Sequence, residues 1–126
     1  MPSLKQSQLG EKSVLVILSA FFNIMNDWHV KAEDQRTLLG HPAKLEFYNW
    51  KNGNISNLSN DTLERVSYIL GIYTALKRLF PTREQANAWP LKPNKEFNYE
   101  SALEIMLKGS STQLRDIRRY LEAQLG

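Results

Sequence analysis

From Val14 to Leu125 apolar side chains return every third or fourth position, and no run alternates convincingly with period two. Such spacing buries one face of a helix and wets the other, so it confines the chain to an all-α fold. The stripe Val14, Leu15, Leu18, Phe21, Phe22, Met25 marks a first helix. A second, from Glu33 to Leu39, stops at Gly40, where a residue without Cβ takes the left-handed conformation that ends a helix. Pro42 suits the first turn of a third helix, because its missing N–H has no partner there in any case. That helix runs through Leu45, Phe47, Tyr48 and Trp50 to Gly53. Ser59, Asn60 or Asp61 caps a long fourth helix with the stripe Leu63, Val66, Ile69, Leu70, Tyr73, Leu76, Phe80. Gly71 interrupts it at a cost of about 1 kcal/mol relative to Ala, which points to a close helix contact at that position.

Pro81 closes this half, and the spacing predicts two coupled units, residues 1–80 and 81–126, with no low-complexity tether between them. Thr82 and Gln85 have capping-box form and start a short helix toward Trp89. Residues 90–98, with two prolines, read as a rigid loop, and Asn98 as the cap of a helix through Leu103, Met106 and Leu107 that Gly109 ends. Ser110 and Gln113 form a second box, opening a last helix with Leu114, Ile117, Leu121 and Leu125 on one side and Arg115, Arg119 and Glu122 on another. The expected core joins Leu18, Phe22, Leu39, Trp50, Val66, Leu70 and Tyr73, with Trp89 anchoring the second unit against it.

Composition excludes several classes of function. The chain has 126 residues, 42% of them hydrophobic, enough for a real core. No stretch approaches the roughly 20 apolar residues of a membrane span, and the opening MPSLKQSQLGEKS lacks signal-peptide form, so a cytoplasmic location is expected. On that ground the consecutive sequons at Asn54, Asn57 and Asn60 read as a polar loop with helix-capping residues. Without cysteine, and with only His29 and His41, there is no Cys–His pair, no HExxH and no zinc ligand set. No glycine-rich phosphate loop is present either, and neither enzymatic activity nor a cofactor is expected. The net charge of +3 comes from 16 Lys and Arg against 13 Asp and Glu, too mild to carry nucleic-acid binding by bulk electrostatics.

Any such binding must rest on local geometry, and the segment from Ala32 to Gly53 has the order of a helix-turn-helix. The second helix of such a unit presents its N-terminal part to the major groove, while nearby amides and basic groups hold phosphates. The exposed candidates are Ala43, Lys44, Glu46 and Asn49, with Lys51 and Asn52 near the helix end; Glu46 opposes phosphate, and Trp50 reads as core. In the last helix, Arg115, Arg118 and Arg119 form a cluster suited to bidentate bonds with an acidic cleft, although Asp116 and Glu122 also allow a merely solvated, charge-laced face.

Over the span from about Val14 to the C-terminus the chain resembles the Xre/MbcA/ParS antitoxins of RES-domain toxin–antitoxin systems. The similarity runs through LLG, YNWKNG and LSNDTLERVSYILGIYTALKRLF, then Trp89, Pro93-Asn94, Phe97 and ALEIMLKG followed by a terminal helix. Each motif is weak alone, and their order over more than a hundred residues is specific. Where the family usually has Gly-Gly and Ser-Pro, this chain has Asn98-Tyr99 and Ser101-Ala102.

The resemblance implies an Xre-like helix-turn-helix joined to a small toxin-binding domain. It implies a partner, a RES toxin that degrades NAD, neutralised by obstructing its active site, and a homodimer that represses its own operon by binding operator DNA. Toxin contacts would then fall on Pro93, Asn94, Lys108, Arg115, Arg118, Arg119 and Glu122, and DNA contacts on Ala43, Lys44, Asn49, Lys51 and Asn52. The residues alone leave two alternatives open: a stand-alone helix-turn-helix regulator whose C-terminal domain serves dimerisation, and an adaptor that binds protein and no DNA.

Overall fold

The computed structural model describes residues 11–126 apart from Ser56. In order, the helices are α1 (Glu11–Asp27), α2 (Ala32–Leu38), α3 (Lys44–Lys51), α4 (Asn60–Leu79), α5 (Arg83–Ala88), α6 (Ala102–Met106) and α7 (Ser111–Gln124). Single 3-10 turns at Trp89–Leu91 and Lys95–Phe97 break the stretch between α5 and α6. Among the described residues there is no strand, only an isolated bridge between Pro93 and Ser101.

The long α4 is the spine, packing most extensively on α7 and next on α1. On α1 the buried positions are Val14, Leu18, Phe21, Ile24 and Met25, recurring at spacings of three and four as one face of a helix must to press on a neighbour, and Trp28 continues the stripe just past the helix end. Leu15 falls off this stripe and is exposed, and Phe22 sits at its edge, half-buried and edge-on to Phe47. Trp28, absent from the expected core, is among its largest fully buried side chains, and its indole Nε1 is buried without a hydrogen bond among the described residues. Of the expected core members, Leu18, Leu39, Trp50 and Val66 are buried, whereas Leu70 and Tyr73 are partly exposed at the flanks of α4.

Local chemistry sets the element ends. Gly40, with φ 94°, closes α2: its N–H donates to the Thr37 carbonyl at 3.1 Å and that of His41 to the Arg36 carbonyl at 2.8 Å, the paired bonds of a left-handed C-cap. Pro42 does not open α3 as expected. It lies ahead of the cap Ala43, because the Arg36 guanidinium donates to the Pro42 carbonyl from Nε at 3.1 Å and Nη2 at 2.9 Å and holds that residue in the turn. Ser59 caps α4 through Oγ, which accepts from the Thr62 N–H, and the Thr62 hydroxyl donates to the buried Leu39 carbonyl at 3.0 Å. The first turn of α4 is thereby tied to the end of α2. Asn98 does not cap α6: it is left-handed, with φ 55°, and Ser101 caps α6 in a reciprocal box with Glu104.

Candidate functional site

The C-terminal third builds its relief on α7. Leu114, Ile117 and Leu121 are buried against the rest of the molecule, as their spacing requires. Arg118 lies on the same side, since 118 is four positions after 114 and three before 121, and it is 4% exposed. Its guanidinium runs over α4 at Gly71, sits 5.9 Å from the Tyr68 ring centre, and donates from Nε to Glu122 at 3.3 Å. A Cβ at residue 71 would lie 2.6 Å from Arg118 Nε, so the glycine makes room for the arginine. Beside them Leu70, Thr74, Ala75, Arg78 and Leu125 complete an apolar cleft of about 150 Å³.

The three arginines therefore have different surroundings. Arg118 is an internal brace. Arg119 is exposed, and Arg115 is half-exposed, with Nη2 3.4 Å from Asp116 and a buried Nε that has no hydrogen bond among the described residues. Glu122, the partner of Arg118, keeps 47% of its side chain exposed.

Ahead of α6, residues 93–101 close on themselves. The Asn94 carbonyl accepts from the N–H groups of Phe97 at 2.9 Å and Tyr99 at 2.8 Å, its own N–H donates to the Glu100 carbonyl at 3.0 Å, and its side-chain oxygen accepts from the Glu96 N–H. Asn94 is thus the organiser of this loop, while Pro93 is exposed on its surface. Lys108 pairs with Glu100 at 3.1 Å across the loop's far end. Three rings fasten the loop to α7: Trp89 stacks on Tyr120 at 6.4 Å and 18°, and Phe97 meets Tyr120 edge-on at 5.0 Å. Trp89 is half-buried in this cluster, so its most specific contacts lie inside the C-terminal third. Tyr120 escaped the sequence reading, although its place one turn after Ile117 was a usable signal.

At the other end, the candidates Ala43, Lys44, Glu46, Asn49, Lys51 and Asn52 are all exposed on or beside α3, while Phe47 and Trp50 face inward. Leu45 at 75% and Tyr48 at 51% exposure share the outer side, which the apolar stripe had placed in the helix without distinction. Lys51 is less free than a solvated lysine: Nζ lies 5.8 Å from the Phe22 ring centre and 5.4 Å from that of Phe47. Arg36, Lys44 and Tyr48 line a shallow groove between α2 and α3.

A third feature joins α1, α4 and α5. The Tyr73 hydroxyl donates to Asp27 Oδ2 at 2.7 Å, and Arg83 reaches Asp27 Oδ1 at 3.3 Å, in the wall of a cleft of about 460 Å³. Burial, then the hydrogen bond to Asp27, raises the Tyr73 phenol above its ordinary value of 10.0. Among the described residues, no group of three or more His, Asp or Glu side chains is placed to hold a metal, and no helix is long and apolar enough to cross a membrane.

A helical chain whose last third is braced on a spine helix, presenting a fastened loop and a charged helix side, has the build of a protein-binding module. Residues 75–126 match the family described as the antitoxin Xre/MbcA/ParS C-terminal toxin-binding domain. The chain is also 43% identical over 109 residues to the uncharacterized protein y4oB of Sinorhizobium fredii (strain NBRC 101917 / NGR234), with 86% of this chain and 84% of that protein covered. No solved structure matches it. The chain thus carries, over residues 75–126, the C-terminal toxin-binding domain of the Xre/MbcA/ParS antitoxin family.

Proposed function

We propose that this antitoxin neutralises a RES-domain, NAD-degrading toxin by docking residues 81–126 across the toxin's active site. Residues 1–80 form the DNA-reading unit of a cytoplasmic homodimer that represses its own operon. The match of residues 75–126 to a toxin-binding domain carries the first half of this reading. The exposed Arg119 and half-exposed Arg115, with Pro93, Asn94, Lys108 and Glu122, are the proposed toxin contacts. Arg118, being internal, acts through the shape of α7 and the position of Glu122. The DNA-reading half is supported by the joint exposure of Ala43, Lys44, Asn49, Lys51 and Asn52 beside a short turn held by Arg36.

Co-expression with a candidate RES-domain toxin, reading cellular NAD and growth, tests neutralisation: NAD stays at its toxin-free level with the parent chain. Depletion despite a folded, co-expressed chain refutes the reading. For DNA, Lys44→Ala weakens operator binding and lowers its salt dependence, whereas Asn49→Ala relaxes base preference, because phosphate and base contacts do different work. Neither change touches neutralisation. Failure of the parent homodimer to retard its own upstream region at low salt removes the DNA half alone.

A further inference from the structure

Tyr99 is held in a backbone conformation that suits glycine, with φ 67°, directly after Asn98 at φ 55°. An asparagine adopts this region readily, because its short polar side chain bonds locally; a tyrosine there is strained by its Cβ. The strain brings no return within the chain. The Tyr99 ring is 69% exposed, is not among the residues packed on the core, and has no hydrogen bond or ring partner among the described residues. What keeps the backbone there is the rest of the loop: its N–H donates to the Asn94 carbonyl at 2.8 Å, the Pro93–Ser101 bridge closes the base, and the Phe97–Tyr120 contact fastens it to α7. A residue kept strained by over-determined surroundings, with its side chain projected into solvent, marks a binding function.

We propose that Tyr99 is a specificity-determining anchor that inserts into an apolar socket on the toxin, a refinement that rests on the toxin-docking reading above. The chemistry of the socket follows from the loop. Residues 89–101 carry Lys92 and Lys95 against Glu96 and Glu100, so no net charge surrounds the ring. A near-neutral, rigid projection fits a hydrophobic recess with a hydrogen-bond acceptor for the phenol, and does not fit a charged groove. Tyrosine is also the residue type that supplies large contact area with few rotors to freeze. The occupant is the toxin because the loop lies within residues 75–126, the part matched to a toxin-binding domain.

The test pairs stability with affinity, using the full chain and, as the probe, a catalytically disabled form of the RES-domain toxin used in the neutralisation test. In Tyr99→Gly the strain disappears, so the Tm equals or exceeds that of the parent while the Kd rises at least tenfold, about 1.4 kcal/mol. Tyr99→Asn, which tolerates the same backbone without glycine's freedom, gives the same pair of results. A Kd within twofold of the parent in both variants overturns the anchor, and so does a Tm that falls in both, since the ring would then serve its own loop. A parent chain that fails to bind the probe at all removes the docking reading and this inference with it, whereas parent binding undiminished in the variants removes Tyr99 alone.

Discussion

Gly71 and Arg118 show how one absent methyl group fixes a pair of helices. Alanine at residue 71 would gain about 1 kcal/mol of helix propensity, yet its Cβ would stand 2.6 Å from Nε and 2.7 Å from Cδ of a buried arginine. The contact is with the middle of the side chain, so Arg118 cannot yield without leaving Tyr68 and Glu122. Gly71→Ala is therefore expected to lower unfolding free energy by about 1–3 kcal/mol, read as a shifted denaturant midpoint at constant slope. A stabilised variant would mean that the arginine swings free. Tyr73 gives a second expectation, with a definite sign. Its phenol pKa is raised in the folded chain, so the native state keeps that proton to higher pH than the unfolded state does. The associated stability is intact below about pH 10, declines as pH passes from the unfolded toward the folded value, and is lost above it. Tyr73→Phe should cost about 1 kcal/mol at neutral pH by removing the bond to Asp27, and should flatten the alkaline limb of the stability profile. An unchanged alkaline limb in the variant would count against a raised Tyr73 pKa, and an unchanged stability at neutral pH against the bond to Asp27.

Helix ends were legible wherever a single chemistry competed for the position. Ser110 and Gln113 read as a capping box and form one, with the Ser110 oxygen accepting from the Thr112 N–H and Gln113 accepting from the Ser110 N–H. Ser59 is likewise one of the three caps expected for α4. Asn98 misled because asparagine serves two purposes, capping and left-handed turns, and spacing alone does not separate them; the loop closed by Asn94 uses the second, leaving the cap to Ser101. Pro42 misled because its carbonyl, invisible to a pattern, is claimed by Arg36. Arg118 was legible in principle: it shares the face of Leu114 and Leu121, and the glycine expected to mark a close contact lies opposite. Capping energetics should follow the boxes. Ser101→Ala, at a buried cap on a helix of only five residues, should cost about 1–2 kcal/mol, and Ser110→Ala, at an exposed one, about 0.5–1 kcal/mol, both by chemical denaturation. A Ser101→Ala variant as stable as the parent would show that α6 does not depend on its box.

The mutual packing of α4 and α7 decides how neutralisation must be tested in the whole molecule. Cutting the chain after Ser110 would strip α7 from α4, uncover the surfaces that Leu114, Ile117 and Leu121 bury, and leave Tyr68 without Arg118. Burying three such side chains is worth roughly 1.5–3 kcal/mol each, comparable to much of a small domain's total stability. Loss of neutralisation by the truncated chain would then report unfolding as readily as lost contact. Arg115→Ala and Arg119→Ala in the full chain avoid this, because both side chains reach solvent and α7 keeps its buried side. Each should change stability by less than about 0.5–1 kcal/mol, so a matching thermal midpoint certifies the fold. Against the toxin their effects should differ: an arginine buried in a paired, hydrogen-bonded contact costs about 2–5 kcal/mol on removal, and one at the rim costs under about 1 kcal/mol. Arg115 is the better candidate for the large effect, since its Nε is already desolvated and has no hydrogen bond among the described residues. Binding measured for each variant and for the pair, alongside NAD in toxin-expressing cells, checks this. If the double variant binds and protects like the parent, Arg115 and Arg119 are not toxin contacts, and docking rests on the remaining candidates Pro93, Asn94, Lys108 and Glu122.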